Sequence, residues 1–315
     1  MAKYFAKRTF FSLISLFIVI SSVFLLLRLL PVEGYFGNRS DVMNEDNKQA
    51  VLKSLGLLDP WYKQLGDFYG KLFQGDFGRS IVLRPKAQIS RILNEKIPYS
   101  LTFGLISIGI SLVGGCGLGI LMARHKGKFW DRIGTGYIVV INAVPPIIYY
   151  LIVQLGITGM FPIPMLFTPG KPLSYLLPAV CMSLGPTASY AMWIRRFMVD
   201  ELNKDYIKLA RAKGMKNSTV MMRHVVRNAF VPMAQYLPST ILYTISGSIY
   251  VEALFSIPGT GGLLVDAIQR QDNTLVQALV LIYSAIGVVG LLLGDVLMAV
   301  CDPRIVLNKK EGGSR

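Results

Sequence analysis

Two carboxylates inside long apolar stretches are the first residues of this sequence that could carry chemistry. Glu252 lies near one end of an apolar run, and Asp295 lies in the last part of another. An acid at the centre of a bilayer costs about 2.5 to 3.5 kcal/mol on insertion scales, so a retained acid is by default a functional candidate. Structural, gating and proton-coupling roles are all open. A structural role is favoured, because both acids lie close to a helix end, where the penalty falls.

Catalytic chemistry is not indicated elsewhere. The histidines, His125 and His224, lie in charged loops, and no serine or cysteine stands at a meaningful spacing from either. The cysteines, Cys116, Cys181 and Cys301, fall within or at the end of apolar runs, which predicts small buried residues and neither a disulfide framework nor a thiolate metal site. No GxxxxGK[ST] phosphate loop is present, so ATP hydrolysis by that route is excluded. We expect no catalytic residue, bound cofactor or bound metal.

The elements that must hold these acids are membrane helices. The chain has 315 residues, of which 52% are hydrophobic and only 16% are charged, as is typical of a multi-spanning membrane protein. Its net charge of +15 is concentrated in loops between apolar runs, which indicates membrane orientation and contact with lipid, not nucleic-acid binding. We predict an all-α polytopic bundle with six transmembrane helices. The predicted spans are about 9–30, 99–122, 134–157, 172–194, 233–257 and 275–300.

The charges of the loops predict the orientation. The segment from Arg124 to Arg132 carries four cations, the stretch 195–232 carries nine and the tail from Cys301 carries four. By the positive-inside rule these segments and both termini are cytoplasmic. The first run is too long for a signal-peptide core, so we expect a retained span. Residues 32–98 then form an extracytoplasmic insert, which is a lid or merely padding, and padding is slightly favoured.

Several spans contain residues that break or bend helices. Asn142 and Pro145 interrupt the third run, and Pro258, Gly259 and Gly261 follow the fifth. Together with Glu252 and Asp295 these residues are the candidates for a transport path or gate. The alternative is the ordinary composition of membrane helices, in which glycine and proline are frequent.

The stretch 195–232 contains a predicted helix with basic residues. Tyr206, Leu209, Ala210 and Lys213 recur at spacings of three and four, and Gly214 is expected to end the pattern. Such a helix at the water edge of a membrane protein is either a docking surface for a partner or a solvated loop.

The same residues resemble a known family: the inner-membrane permease subunits of binding-protein-dependent ABC importers, in the oligopeptide/dipeptide/nickel group. The resembling segments cover nearly the whole chain and are 206–214, Arg223-His224, Arg227-Asn228-Ala229, 75–80, 251–255, 258–261 and Asp302-Pro303-Arg304. The sequence departs from the family pattern at Leu30–Gly34, at Arg270-Gln271-Asp272 and before Asp295. These departures weaken any inference about the cargo.

The resemblance implies a fold like that of type I ABC importers and a division of labour among subunits. A coupling loop, 195–232, would dock on cytoplasmic ATPases through Tyr206, Leu209, Ala210, Arg211, Ala212, Lys213, Gly214, Arg223, His224, Arg227 and Asn228. The implied partners are a second homologous permease, two ATPases that use ATP and Mg, an extracytoplasmic binding protein and a peptide. The domains would be 1–98, with the first span and the insert, and a five-span core at 99–315. A nickel or metal-complex importer, a stand-alone proton-coupled transporter and a membrane scaffold are the alternatives.

Overall fold

A computed structural model describes residues 2–29, 35–36, 43–245 and 248–301 of the chain. Within these ranges the regular structure is helical, and an isolated bridge joins Arg79 to Gln88. The prediction of an all-α protein is confirmed. The family-like ending Asp302-Pro303-Arg304 and the departure at Leu30–Gly34 lie outside the described residues.

Fourteen α-helices follow one another in the described ranges, and a π-helical segment at Val220–Val226 separates the ninth from the tenth. They are α1 (Ala2–Arg28), α2 (Glu45–Ser54), α3 (Trp61–Phe73), α4 (Ile89–Arg124), α5 (Phe129–Ala143), α6 (Pro146–Met160), α7 (Leu173–Leu202), α8 (Asp205–Ala212), α9 (Asn217–Thr219), α10 (Arg227–Ala234), α11 (Leu237–Ile245), α12 (Ile249–Leu254), α13 (Thr260–Gln269) and α14 (Asn273–Cys301).

Three helical segments of the described chain are long and apolar enough to cross a membrane by themselves: Ala6–Arg28, Ile89–Arg124 and Asn273–Leu297. The pair α5 and α6 makes a fourth if it is counted as one broken span. The predicted number of six spans therefore stays a prediction.

The third apolar run is broken, as its prolines predict. α5 ends at Ala143 and α6 begins at Pro146, with an angle of 116° between them. Pro145 has an extended conformation and precedes Pro146, which occupies the first position of α6. Proline is tolerated there because the first amides of a helix have no intrahelical partner. The third run is therefore a bent pair of helices, which forms a broken span or a re-entrant loop.

The second apolar helix begins earlier than its composition predicts. α4 starts at Ile89 and continues through Pro98, so the predicted boundary at residues 98 and 99 falls inside a helix. The added turns bury Ile89, Ile92 and Leu93 in a cluster with residues of α13 and α14. The end of the insert is therefore continuous with the helical core.

The most extensive helix contact in the described ranges joins α4 to α7. A Cβ atom at Gly115 would lie 2.7 Å from the Tyr190 Cβ, and one at Gly119 would lie 2.7 Å from the carbonyl oxygen of Ala191. These two glycines are required because the backbones approach too closely for a side chain. Pro178 and Pro186 lie inside α7 without ending it, whereas the fifth run is divided among α10, α11 and α12.

Candidate functional site

α8 is a short helix with a defined C-terminal cap. Gly214 follows its last turn with a φ of +74°, in the left-handed region that favours glycine. The Gly214 amide donates to the Arg211 carbonyl at 2.9 Å, and the Met215 amide donates to the Ala210 carbonyl at 3.3 Å. This pair of bonds is a Schellman motif. The prediction that Gly214 ends the helix is confirmed.

Two faces of α8 have different surroundings. Ile207 and Ala210 are buried in a cluster with α7, the π-helical segment and α10, and Ala210 is only 8% exposed. Tyr206 and Leu209 lie on the outer face, where Leu209 is 56% exposed. The small size of Ala210 thus serves packing within the chain. The face open to a partner is that of Tyr206 and Leu209.

A hydrogen-bonded group fixes α8 to its neighbours. The Tyr206 hydroxyl donates to Glu201 at the end of α7, and the Asn228 amide of α10 donates to the same hydroxyl at 2.7 Å and to Glu201 at 3.3 Å. Partial burial and the bond to Glu201 raise the pKa of Tyr206 to about 12. Tyr206 and Asn228 were predicted from the sequence, but Glu201 was missed, because its local spacing gives no sign of a bond to α10.

The other predicted coupling residues lie around α8. Its last turn, its cap and the start of α10 are exposed to solvent, and His224 is half-buried with its ring 6.5 Å from the Tyr206 ring. The exposed members of the set are Arg211, Ala212, Lys213, Gly214, Arg223, Arg227 and Asn228. The structure therefore collects the predicted set at one end of the bundle, hereafter the α8 end.

An ion pair joins two helices at the α8 end. The Arg195 guanidinium of α7 donates to both carboxylate oxygens of Asp131 at the start of α5, at 2.5 and 2.9 Å. Asp131 is buried and also accepts the Gly127 amide at 2.8 Å. A bidentate pair of this kind fixes both distance and orientation. Sequence reasoning missed Asp131, which appears there as one charge in a basic loop.

Asp295 has a cationic partner. The buried Asp295 carboxylate of α14 pairs with Arg8, near the start of α1. The pair joins the first apolar helix to the last, which also pack along their lengths. Because an opposite charge compensates the acid in an apolar setting, this geometry favours a structural role.

Glu252 lies in a cradle of small residues at the opposite end of the bundle, hereafter the insert end. Its carboxylate accepts the Ser100 hydroxyl at 2.7 Å and the Gly262 amide at 2.9 Å. A Cβ at Gly259 would collide with that carboxylate, and one at Gly261 would lie 3.1 Å from it. The structure thus brings three predicted gate residues together, beside the half-buried Pro258.

Asn142 and Pro145 lie elsewhere, at the break between α5 and α6. Both are exposed, and the Asn142 amide donates back to the Ile138 carbonyl of its own helix at 2.8 Å. Their assignment to a path or gate stays a prediction. The gate candidates therefore divide into the Glu252 cradle, the α5–α6 break and the Asp295 pair.

Asp272 ties the insert to the membrane helices and was missed as a site residue. Its buried carboxylate accepts five donors, of which Leu275 lies in the first turn of α14. The other four are the Ser80 hydroxyl and the amides of Ile81, Val82 and Leu83. An insert that merely fills space would not need these hydrogen bonds to Asp272. They therefore favour an insert that is held in a fixed position.

These features define a class, a helical membrane protein with an ordered basic loop at one end and an anchored insert at the other. Among the described residues no group of three or more histidine, cysteine or acidic side chains is placed to hold a metal. The chain belongs to the family described as binding-protein-dependent transport system inner membrane component, whose model matches residues 115–307, more than half of its length.

Individual relatives agree with this assignment. The chain is 29% identical over 311 residues to a dipeptide transport system permease protein of Lactococcus lactis, covering 98% of this chain and 100% of the relative. It is 30% identical to an oligopeptide transport system permease protein of Bacillus subtilis, covering 97% and 99%. An oligopeptide permease of Streptococcus pneumoniae is 36% identical over 214 residues, which are 66% of this chain and 42% of that protein. The resemblance seen in the sequence motifs is confirmed.

Proposed function

We propose that this chain is a membrane subunit of an ATP-driven importer of peptides. The observation that carries the proposal is α8, a capped helix held by Glu201 and Asn228 with an apolar and basic face turned outward. A solvated loop would need neither the cap nor the anchor. Membership of the binding-protein-dependent transport family supports this role for α8, because the sequence has no phosphate loop and a permease of this kind would take its energy from a separate ATPase.

Docking on an ATPase is the role we assign to α8. Leu209 supplies an exposed apolar contact, and Lys208 and Arg211 supply charges for an acidic rim on the partner. Movement of the partner would be passed to α7 through Glu201 and to α10 through Asn228. Two rigid contacts at one end of the bundle allow α8 to act as a lever on the membrane helices.

The assembly that we propose follows the family pattern. It contains a second homologous permease, two cytoplasmic ATPases that use ATP and Mg, and an extracytoplasmic binding protein. The α8 end and both termini face the cytoplasm of a bacterial inner membrane. Six spans are reached if α7, α5 with α6, and α10 to α12 each cross the membrane. α7 has 30 residues, which give about 45 Å, enough for a hydrocarbon core of about 30 Å.

Peptides are the proposed cargo because the relatives are dipeptide and oligopeptide permeases. The decisive experiment measures uptake of a labelled peptide into vesicles that contain the chain with its co-assembling subunits. We expect uptake to require ATP and to be lost when the phosphate-loop lysine of the partner ATPase is replaced. Uptake driven by a proton gradient without ATP would support a secondary transporter and overturn the proposal. ATP-driven uptake of nickel but not of peptides would overturn the cargo alone.

A further inference from the structure

A charged cavity of about 1140 Å³ lies at the insert end of the described structure, between the insert and the helices α1 and α14. Among the residues that the structure describes, five cationic side chains and two carboxylates line it, together with several aromatic rings. Arg28 from α1 and Lys71 from α3 are among the cations. The excess of positive charge indicates an anionic occupant.

The cavity wall contains a donor whose hydrogen-bonding capacity is unmet. Gln277 of α14 lines the cavity and is only 9% exposed, yet its Nε2 atom has no hydrogen-bond partner among the described residues. A buried amide that has lost its water and gained no partner destabilises the protein. An oxygen-rich ligand in the cavity would satisfy it.

Aromatic contacts orient Arg28. Its guanidinium lies 4.8 Å from the centre of the Phe24 ring and donates a hydrogen bond of 3.2 Å to the Tyr35 hydroxyl. These neutral partners fix the direction of the side chain without neutralising its positive charge. A fixed guanidinium is well suited to a phosphate group, to which it can donate two parallel bonds.

The depth of the cavity follows from the packing of α3 on α1. The Tyr69 hydroxyl lies 2.8 Å from the Ser21 hydroxyl, and the Tyr69 ring stacks on Phe17 at 5.1 Å. Ser21 precedes Arg28 by about two helical turns, or roughly 10 Å along the axis. Arg28 ends the apolar segment Ala6–Arg28 and so lies at the level of lipid headgroups, whereas the end of α3, with Lys71, lies on the side of the cavity that is nearer the apolar layer.

The surfaces next to the cavity are apolar and face outward. Leu26 of α1 and Leu29 just after it are exposed, and Phe73 at the end of α3 is 87% exposed. In a membrane these side chains contact acyl chains. A ligand with a phosphate group and two acyl chains matches both the charged cavity and this rim.

We propose that the cavity binds the headgroup of an anionic phospholipid from the leaflet at the insert end. Arg28 and Lys71 hold the phosphate, Gln277 donates to a headgroup oxygen, and the acyl chains lie along α1 and α3. The bound lipid fastens the insert to the membrane next to its anchor at Asp272. This site is separate from α8 and does not depend on the identity of the cargo.

The test uses the full chain with its co-assembling subunits in nanodiscs of phosphatidylethanolamine with a minor fraction of phosphatidylglycerol. Native mass spectrometry after ejection measures which lipid remains bound. We expect the wild type to retain phosphatidylglycerol preferentially. Each cation near an anionic surface contributes about fivefold, so replacing both Arg28 and Lys71 by glutamine should lower that preference roughly 25-fold. Gln277→Leu should also lower it, although the net charge is unchanged.

The matched control replaces Lys48 and Lys63, which lie on the insert helices outside the cavity and pair with Glu45 and Asp59. Their double glutamine variant removes the same charge and should retain the lipid. Equal retention by the cavity and control variants would overturn the proposal. It would also be overturned if inorganic phosphate alone, or an added peptide, displaced phosphatidylglycerol, because the ligand would then be a soluble anion or the cargo.

Discussion

Ser80 donates a hydrogen bond of 2.5 Å to Asp272 although 192 residues separate them. The bond joins the glycine-rich segment of the insert to the residue that caps α14. Three amides of the following turn point at the same carboxylate. The Asp272 side chain therefore holds the segment from Ser80 to Leu83 against the membrane helices, and its removal should loosen that segment selectively.

We expect Asp272→Leu to lower the local free energy of opening of the insert by about 3 kcal/mol, because several buried donors lose a charged acceptor. Asp272→Asn keeps one acceptor oxygen and should cost less. Hydrogen exchange of the amides from Ile81 to Leu83 measures the effect. Asp59→Asn is the control, since Asp59 belongs to a partly exposed ion pair elsewhere in the insert. Unchanged exchange in Asp272→Leu would contradict the anchoring role.

The pair between Arg195 and Asp131 should contribute to the stability of the α8 end. Arg195→Gln leaves a buried carboxylate that still accepts the Gly127 amide but has lost its charged partner, and we expect a loss of about 2 to 3 kcal/mol. Thermal unfolding of the purified protein checks this. The neighbouring Arg196 is exposed, so Arg196→Gln removes the same charge and should have little effect. Equal destabilisation by the two variants would show that net charge matters and the ion pair does not.

Tyr206→Phe removes a hydroxyl that bonds to both Glu201 and Asn228 and should reduce the peptide transported per ATP hydrolysed more than it reduces expression. We expect a local loss of about 1 to 2 kcal/mol. Since folding raises the pKa of Tyr206 from 10.0 to about 12, its contribution is complete below pH 10 and is lost as the pH rises toward 12. Tyr62→Phe, on the exposed face of α3, is the control. If Tyr206→Phe transported as much peptide per ATP hydrolysed as the wild type, this hydroxyl would not be needed for α8 to pass movement to the membrane helices.

Gly214→Ala should weaken the cap of α8, because alanine in the left-handed region costs about 1 to 2 kcal/mol. No atom lies within 4 Å of the added Cβ, so backbone strain is the main effect. We expect reduced uptake with normal membrane insertion, measured in the reconstituted transporter. Gly170 has a φ of +82° with equally open surroundings, and Gly170→Ala is the matched control at the other end. Similar losses in both variants would assign the effect to general stability.

Local features were predictable from the sequence, and long-range features were not. Gly214 was placed correctly because a glycine cap depends on the adjacent turn alone. The break at Pro145 likewise follows from the chemistry of proline. The roles of Asp272 and Asp131 depend on partners on other elements, and the spacing of residues says nothing about those partners.

The sequence also does not show which face of a short helix is exposed and which is buried. The family resemblance predicts that Ala210 belongs to a docking surface, where a small residue permits close contact between proteins. The same property permits close packing inside one chain, and the structure buries Ala210 against its own core. The two uses of a small residue have the same pattern in the sequence, so only the fold separates them.

The last prediction concerns Glu252. Its hydrogen-bonded cradle makes it possible to distinguish a structural role for this acid from a proton-coupling role. Glu252→Gln keeps an acceptor for Ser100 or Gly262 but turns an amide donor toward groups that themselves donate. A structural acid should therefore lose stability, by about 1 to 3 kcal/mol, while ATP-dependent uptake by the remaining folded protein keeps its pH profile. A proton-coupling acid should instead lose the pH dependence of uptake at unchanged stability. Ser100→Ala is the companion variant: it removes one donor and keeps the charge, so it should destabilise less than Glu252→Gln. Measuring unfolding and the pH profile of uptake in both variants decides between the two roles.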